Sequence, residues 1–187
     1  MKNTLLALIA LTTLTCNLSF AETKTAVVDM NKIFKEYFKT EEAEKEITDM
    51  MNGYKKDHDE RMADYQKLVE QIKELQEAVK DPSLSESARK ERESKLKDKV
   101  GEARTREREI SEFRNTTNKL RMDKQKNMRE KIVVEINETI EKIAKGKYNM
   151  VFDKSGMNLS GVPTLVFADG VTDISSEVIS SLNKGKN

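Results

Sequence analysis

The sequence contains few of the residues that crosslink, interrupt or densely fill a compact fold. Its 187 residues include one Cys, one His, two Pro, seven Gly and no Trp, and 36% of them are apolar. Average soluble domains have about 45–50% apolar and about 25% charged residues. Here 36% are Asp, Glu, Lys or Arg. A single compact domain would be short of core material, so the composition favours long solvated helices or a core shared between chains.

The single cysteine lies in a segment that we predict to be removed. Residues 1–21 read as a secretory signal peptide, with an apolar run at Leu5–Leu14 and a small-x-small cleavage site ending at Ala21. Lipidation of Cys16 is the alternative, but Thr15 is larger than the residue usual before a lipidated cysteine. No other apolar run approaches the about 20 residues of a membrane span. We expect an exported, soluble chain without disulfides.

The sequence has no large excess of either positive or negative charge. The formal net charge is +1, and it falls to zero when Lys2 leaves with the signal peptide. A nucleic-acid-binding protein normally carries a basic excess, so nucleic acid is excluded as an expected partner. Residues 41–88 hold 7 basic and 14 acidic side chains, whereas residues 89–131 hold 16 basic and 9 acidic ones. The two segments would attract each other if folded together, or both are simply solvated helix faces.

The side chains of an active site are missing. His58 has no mature Cys to join it in the usual zinc sets. Gly156 and Gly161 belong to no phosphate-binding loop pattern. Residues 148–187 contain four acidic side chains but neither His nor Cys. The sequence therefore predicts that the protein is not an enzyme and has no cofactor or metal.

Apolar side chains recur with an alternating spacing of four and three residues in the first half of the chain. Of ten such positions, eight are apolar or aromatic. The ten positions of this heptad stripe are Ile47, Met51, Tyr54, His58, Arg61, Tyr65, Leu68, Ile72, Leu75 and Val79. The pattern predicts a coiled-coil helix over about 41–80, roughly 60 Å long. Pro82 ends it, and Ser83 with Glu86 predicts a capping box for a second helix.

The second helix has a weaker stripe that becomes dense near its end. Glu107, Thr117 and Lys124 interrupt it, which we expect to let the arms splay. Its apolar positions are Leu96, Val100, Ala103, Ile110, Phe113, Leu120, Met128, Ile132, Ile136, Ile140 and Ile143. Only the dense end is expected to pack into a body.

Short strands at both ends of the chain should form that body. Strand candidates are Thr25–Asp29, Tyr148–Asp153 and Thr164–Phe167, and a last short helix is capped by Asp173 or Ser175. The predicted fold is α+β, with a long antiparallel helical hairpin projecting from a small β-rich body.

The predicted domains follow from these elements. Residues 22–40 and 141–187 would form the body, and 41–140 the hairpin, with its turn near 81–85. So small a body is marginal without disulfides or metals, and we therefore infer an oligomer.

Methionine is the side chain with the clearest functional interpretation. Flexible methionines suit a surface that binds many apolar sequences, although they also fill gaps in irregular coiled coils. The candidates on the arms are Met50, Met51, Met62, Met122 and Met128.

The order of these features resembles the Skp/OmpH family of periplasmic chaperones. The resemblance rests on Ala26-Val27-Val28-Asp29, the long hairpin with Leu84-Ser85-Glu86 at its turn, Met150-Val151-Phe152-Asp153, and Asp173-Ile174-Ser175 before an amphipathic helix. It implies a jellyfish-like homotrimer whose tentacles enclose unfolded outer-membrane proteins. It also implies that the body strands, which hold the trimer together, contain Val27, Val28, Val151, Phe152, Leu165, Val166 and Phe167.

We therefore expect an ATP-independent holdase in the periplasm, and the alternative is a structural coiled-coil spacer of the envelope. The basic segments 121–131 and 184–186 could also contact an anionic membrane surface. A lipopolysaccharide site has been proposed for some relatives, but no motif lets its residues be transferred here.

Overall fold

The structure is a computed structural model that describes residues 23–186. The predicted signal peptide, including Cys16, lies outside the described residues. In chain order the elements are β1 (Thr25–Val28), α1 (Met30–Glu36), α2 (Phe38–Val79), α3 (Glu86–Ala144), β2 (Met150–Asp153), β3 (Thr172–Asp173) and α4 (Ser175–Leu182).

Helices α2 and α3 form a long antiparallel hairpin, as predicted. They contain 42 and 59 residues, which corresponds to about 63 and about 89 Å. Ile47 and Leu68 of the heptad stripe are buried against α3, and of the other stripe positions only Arg61 is exposed. A long stripe on a charged helix therefore packs along one partner helix. We call α2 and the facing part of α3 the arm.

The turn at the tip of the arm differs from the predicted capping box. Ser85, not Ser83, is the N-cap of α3, and its hydroxyl accepts a hydrogen bond from the Ala88 N–H at 3.3 Å. The Asp81 carboxylate instead accepts hydrogen bonds from both Ser83 donors, the backbone N–H at 2.9 Å and the hydroxyl at 2.7 Å. This Asx turn delays the start of the helix by two residues.

The α3 side of the arm also departs from its stripe. Leu120, predicted to pack, is 45% exposed. Thr117, predicted as a weak point, is buried, and its hydroxyl is satisfied because it donates to the Phe113 carbonyl at 2.9 Å. Lys124 reaches across the arm to Glu46 at 2.8 Å. Two of the three interruptions are thus accommodated, and splaying of the arms stays a prediction.

A parallel three-stranded sheet in the order β2-β1-β3 lies at the root of the arm. Parallel neighbours require a crossover, and the connection from β1 to β2 is the entire hairpin. Ala26, Val27 and Val28 of the central strand are all buried. A short apolar run without alternation is typical of a strand covered on both faces.

The third strand is not where the sequence predicts it. Thr164–Phe167 is not a strand, and Val166 and Phe167 are 83% and 81% exposed. Strand β3 pairs with β1 on the side opposite β2. Asp173 anchors β3, because its carboxylate accepts a hydrogen bond from the Lys154 ammonium group at 2.7 Å. The segment before it folds on itself at the Met157–Pro163 bridge.

The core lies where α1, α3 and α4 meet the sheet, and we call this region the body. Ile33, Ile136 and Val178 are its fully buried large side chains. Ile136 lies on α3 within the predicted hairpin segment 41–140, five residues before the second predicted body segment begins. The buried cluster is Ala26, Val28, Ile33, Tyr37, Ile132, Ile136, Ile174 and Val178.

Aspartates at the ends of the parallel strands fix the connections that follow them. Asp29 caps α1 by accepting the Lys32 N–H at 2.8 Å. Asp173 accepts the Ser175 N–H at 2.9 Å. Neither predicted residue is the N-cap of α4, because the helix begins at Ser175 and the N-cap is Ile174. The Asp173 carboxylate, one residue before the N-cap, stabilises the first turn by accepting the Ser175 N–H.

Asp173 should make the stability of the body depend on acid pH. Burial would raise the pKa of this carboxyl, but hydrogen bonds from Lys154 and Ser175 outweigh it and lower the pKa from 3.8 to about 2. The stabilisation is present above about pH 4 and is lost as pH falls toward about 2. In urea unfolding over this range, Asp173→Asn should show a shallower fall in unfolding free energy than wild type. Asp169→Asn should keep the wild-type slope, and equal slopes for all three proteins would contradict the prediction.

Candidate functional site

A groove of about 460 Å³ lies at the root of the arm, between α2 and α3. Its floor contains Ala43, Met128 and Ile132, and its rim is charged. The Glu46–Lys124 pair spans it at 2.8 Å. Met128 also packs against the buried cluster of the body, so this methionine fills space between arm and body.

Two further grooves lie at mid-arm on either side of His58, with volumes of about 310 and 440 Å³. We call them the mid-arm grooves. The rings of Tyr54 and Phe113 meet edge to face between the helices at 6.1 Å. The Arg61 guanidinium lies 4.7 Å from the centre of the Phe113 ring. The arm therefore offers shallow apolar and aromatic surface edged by charge, which suits weak contacts with apolar chains.

The five candidate methionines do not form one cluster. Met51 and Met62 line the two mid-arm grooves. Met50 is half-buried, whereas Met122 on α3 is 63% exposed. Contact between these residues and a client protein stays a prediction.

A polar cluster joins the arm to the body. The Tyr37 hydroxyl donates to Glu135 of α3, and Lys39 contacts the same carboxylate at 2.8 Å. Hydrogen bonds from Lys39 and then Tyr37 lower the pKa of Glu135. Burial and the bond to Glu135 raise the pKa of Tyr37. Glu135 is therefore a stable anion that holds the first turn of α2 against α3.

The segment between β2 and β3 exposes an unusual amount of apolar surface. Monomeric proteins rarely expose large contiguous apolar patches, and such patches commonly mark interaction surfaces. We call it the apolar loop patch, consisting of Met157, Leu159, Val162, Val166 and Phe167, which are 50% to 110% exposed. Phe152 and Met150 of the outer strand β2 are also about half exposed, so apolar surface is present on the edge of the sheet as well.

The predicted body residues thus divide into two groups. Val27 and Val28 are buried in the centre of the sheet, and Val151 packs against the same core. Phe152, Val166 and Phe167 face outward, and Leu165 is half-buried. The latter group is not part of the core of a single chain.

The basic segments are partly engaged within the chain. Lys126 pairs with Glu130 at 3.9 Å. The Arg129 guanidinium covers the Phe34 ring at 5.2 Å. Lys186 bonds Glu42 and lies over the Phe38 ring. These contacts reduce the positive charge that is available to an anionic surface.

The histidine and the acidic residues form no catalytic or metal-binding arrangement in the described part of the chain. The His58 ring contacts Asp59 at 3.4 Å and lies between the two mid-arm grooves. Within residues 23–186, no three His, Cys, Asp or Glu side chains are grouped so that they could hold a metal ion. Over the same residues, no helix is long and apolar enough to cross a membrane.

Comparison with protein families gives a match over almost all of the described residues. The family model of outer membrane proteins (OmpH-like) matches residues 24–182, from β1 to the end of α4. The chain belongs to the OmpH-like (Skp) family. This family consists of non-enzymatic chaperones, and the predicted absence of enzymatic activity is confirmed by membership. No curated protein matches the chain.

Sequence reasoning missed two features that the structure brings out. Met157, Leu159 and Val162 lie between the predicted strands Tyr148–Asp153 and Thr164–Phe167, and three apolar residues in such a connection are a signal of surface contact. Asn183 shows no signal in the sequence. Its side chain contacts Glu36 and Phe38, almost 150 positions earlier in the chain.

Proposed function

We propose that the protein is an ATP-independent holdase of the periplasm that binds unfolded outer-membrane proteins and prevents their aggregation. Membership of the OmpH-like family over residues 24–182 carries the proposal. The shallow grooves of the arm support it, because many weak and exchangeable contacts can hold an unfolded chain without nucleotide. Binding the unfolded form in preference to the folded one suppresses its aggregation.

We further propose a homotrimer assembled through the body. The apolar loop patch and the outer strand β2 support this, since both expose apolar side chains of one chain. The predicted contact residues Phe152, Val166 and Phe167 lie on these surfaces. Assembly would bury them and place several arms around a common space.

The test uses the mature chain, residues 22–187, with an unfolded outer-membrane β-barrel protein diluted from urea. Light scattering should show aggregation suppressed at a near-stoichiometric ratio, equally with and without ATP. Met122→Ser should weaken suppression because it removes an exposed apolar contact. Gln125→Ser, an exposed change one turn along α3, should not.

Two results would contradict the proposal. Unchanged client aggregation beside an intact oligomer would favour the envelope spacer. A spacer also needs an anchor, so intact-mass analysis showing a lipid on Cys16 of the exported protein would favour that alternative.

A further inference from the structure

The root of the arm contains a helix break that the local sequence does not explain. Tyr37 is the single residue between α1 and α2, and its backbone is extended, with φ −77° and ψ 123°. Its neighbours are Glu36 and Phe38, so neither Gly nor Pro ends the helix here. These residues are compatible with a continuous helix. Something beyond the local sequence must hold the break open.

The Asn183 side chain lies across this break and bonds the backbone on both sides. Its Oδ1 accepts the Phe38 N–H at 3.1 Å, and its Nδ2 donates to the Glu36 carbonyl at 2.9 Å. A side-chain amide is suited to this because it has an acceptor and donors on one planar group. In a continuous helix both backbone groups would have intrahelical partners instead.

Asn183 is itself held by the body. It is the C-cap of α4, where its N–H donates to the Ile179 carbonyl at 3.0 Å. Helix α4 is anchored by Val178, which is fully buried. Lys186, three residues further on, lies 3.9 Å from the centre of the Phe38 ring. The end of the chain therefore connects the first turn of α2 to the core of the body.

The two sides of the arm are attached to the body differently. Helix α3 runs without a break from the tip into the core, where Ile132 and Ile136 are buried. Helix α2 begins at Phe38, directly after Tyr37, whose ring is buried in the body. A two-helix ribbon joined at its tip tilts within the plane of its two helices when one side changes length relative to the other. Tyr37 is the residue at which the α2 side of the arm can change its length.

We propose that Asn183 is a positioning residue that sets the tilt of the arm by keeping Tyr37 extended. An extended residue advances the chain by about 3.3 Å and a helical one by about 1.5 Å, so a helical Tyr37 shortens the α2 side by about 1.8 Å. Packed helix axes lie about 8–10 Å apart, so this change tilts the arm by about 11°. At the end of an arm of about 63 Å, the tip moves by about 12 Å.

Arm tilt would set the width of the space between arms, and this consequence rests on the chaperone role proposed above. The geometric test needs neither a client nor a trimer. Ser87→Cys near the tip and Ser176→Cys on α4 carry a donor and acceptor dye pair, and the labelled chain is diluted into excess unlabelled chain. Single-molecule energy transfer then reports the distance from tip to body.

Asn183→Ala should change that distance by a part of the about 12 Å through which the tip moves sideways when Tyr37 is helical. The Phe38 amide should stay protected from exchange, because in a continuous helix it bonds the carbonyl four residues earlier. Ser180→Ala, an exposed change on the same helix, should leave the distance unchanged. A wild-type distance in folded Asn183→Ala would overturn the proposal.

A second variant covers the case in which Asn183→Ala does not fold. Asn183→Asp replaces the donor to Glu36 by a carboxylate oxygen that repels the Glu36 carbonyl, so Tyr37 should leave its extended conformation and the distance should still shift. A wild-type distance in this variant would also overturn the proposal. If the tilt changes but client aggregation does not respond, the positioning role stands and the chaperone role is what fails.

Discussion

Ile136→Ala should lower the free energy of unfolding by about 2–5 kcal/mol, the usual cost of a large cavity in a packed core. Ile136 is fully buried and belongs to the same cluster as Ile33 and Val178. Small domains have total stabilities of about 5–15 kcal/mol. The body has a short sheet and few buried side chains, so this one change removes a large share of its stability.

The matched control lies two residues away on the same helix. Val134 is 55% exposed, and Val134→Ala should change the unfolding free energy by no more than about 0.5 kcal/mol. Urea unfolding followed by circular dichroism gives both values. Equal losses for the two variants would mean that the body is not the cooperative core of the fold.

Val166→Asp together with Phe167→Asp should separate the proposed trimer into folded monomers at micromolar concentration. Both side chains are more than four-fifths exposed in a single chain, so the substitutions should leave the monomer fold intact. In the assembly they would place two carboxylates inside an apolar contact, which is costly without partners. Light scattering coupled to gel filtration measures the mass, and circular dichroism checks the fold.

Ser160→Asp is the control for added charge, because it alters an exposed polar residue of the same segment. It should keep the mass of the wild-type oligomer. If the double variant also kept that mass, the apolar loop patch would not be the assembly surface. The patch would then be available to another apolar partner.

The hairpin could be predicted because its signals are local and periodic. A stripe from Ile47 to Val79 with a four-three spacing specifies a helix and its packing face together. Pro82 marks the end of that helix, and the apolar run of β1 indicates a covered strand. The candidate site was harder to predict from the sequence. The mid-arm grooves form only when α2 and α3 pack in one register, which places Tyr54 against Phe113.

The sequence does not show which of two similar segments pairs with a strand, or which of two similar residues caps a helix. Thr164–Phe167 has the composition of a strand, yet Thr172–Asp173 pairs with β1 because Asp173 is anchored by Lys154 and Ser175. Ser83 and Ser85 are both acceptable caps, and the Asp81 carboxylate decided between them. Leu120 follows the stripe but is exposed, which sequence spacing does not reveal.

The sequence by itself determined the helical hairpin, its approximate length and the place of its turn, because each depends on residues that are close together along the chain. The tertiary structure alone decided which segment completes the sheet, which apolar residues stay exposed, and how Asn183 joins the end of the chain to the break at Tyr37. These depend on contacts between residues far apart in the chain, and only folding brings them within hydrogen-bonding distance.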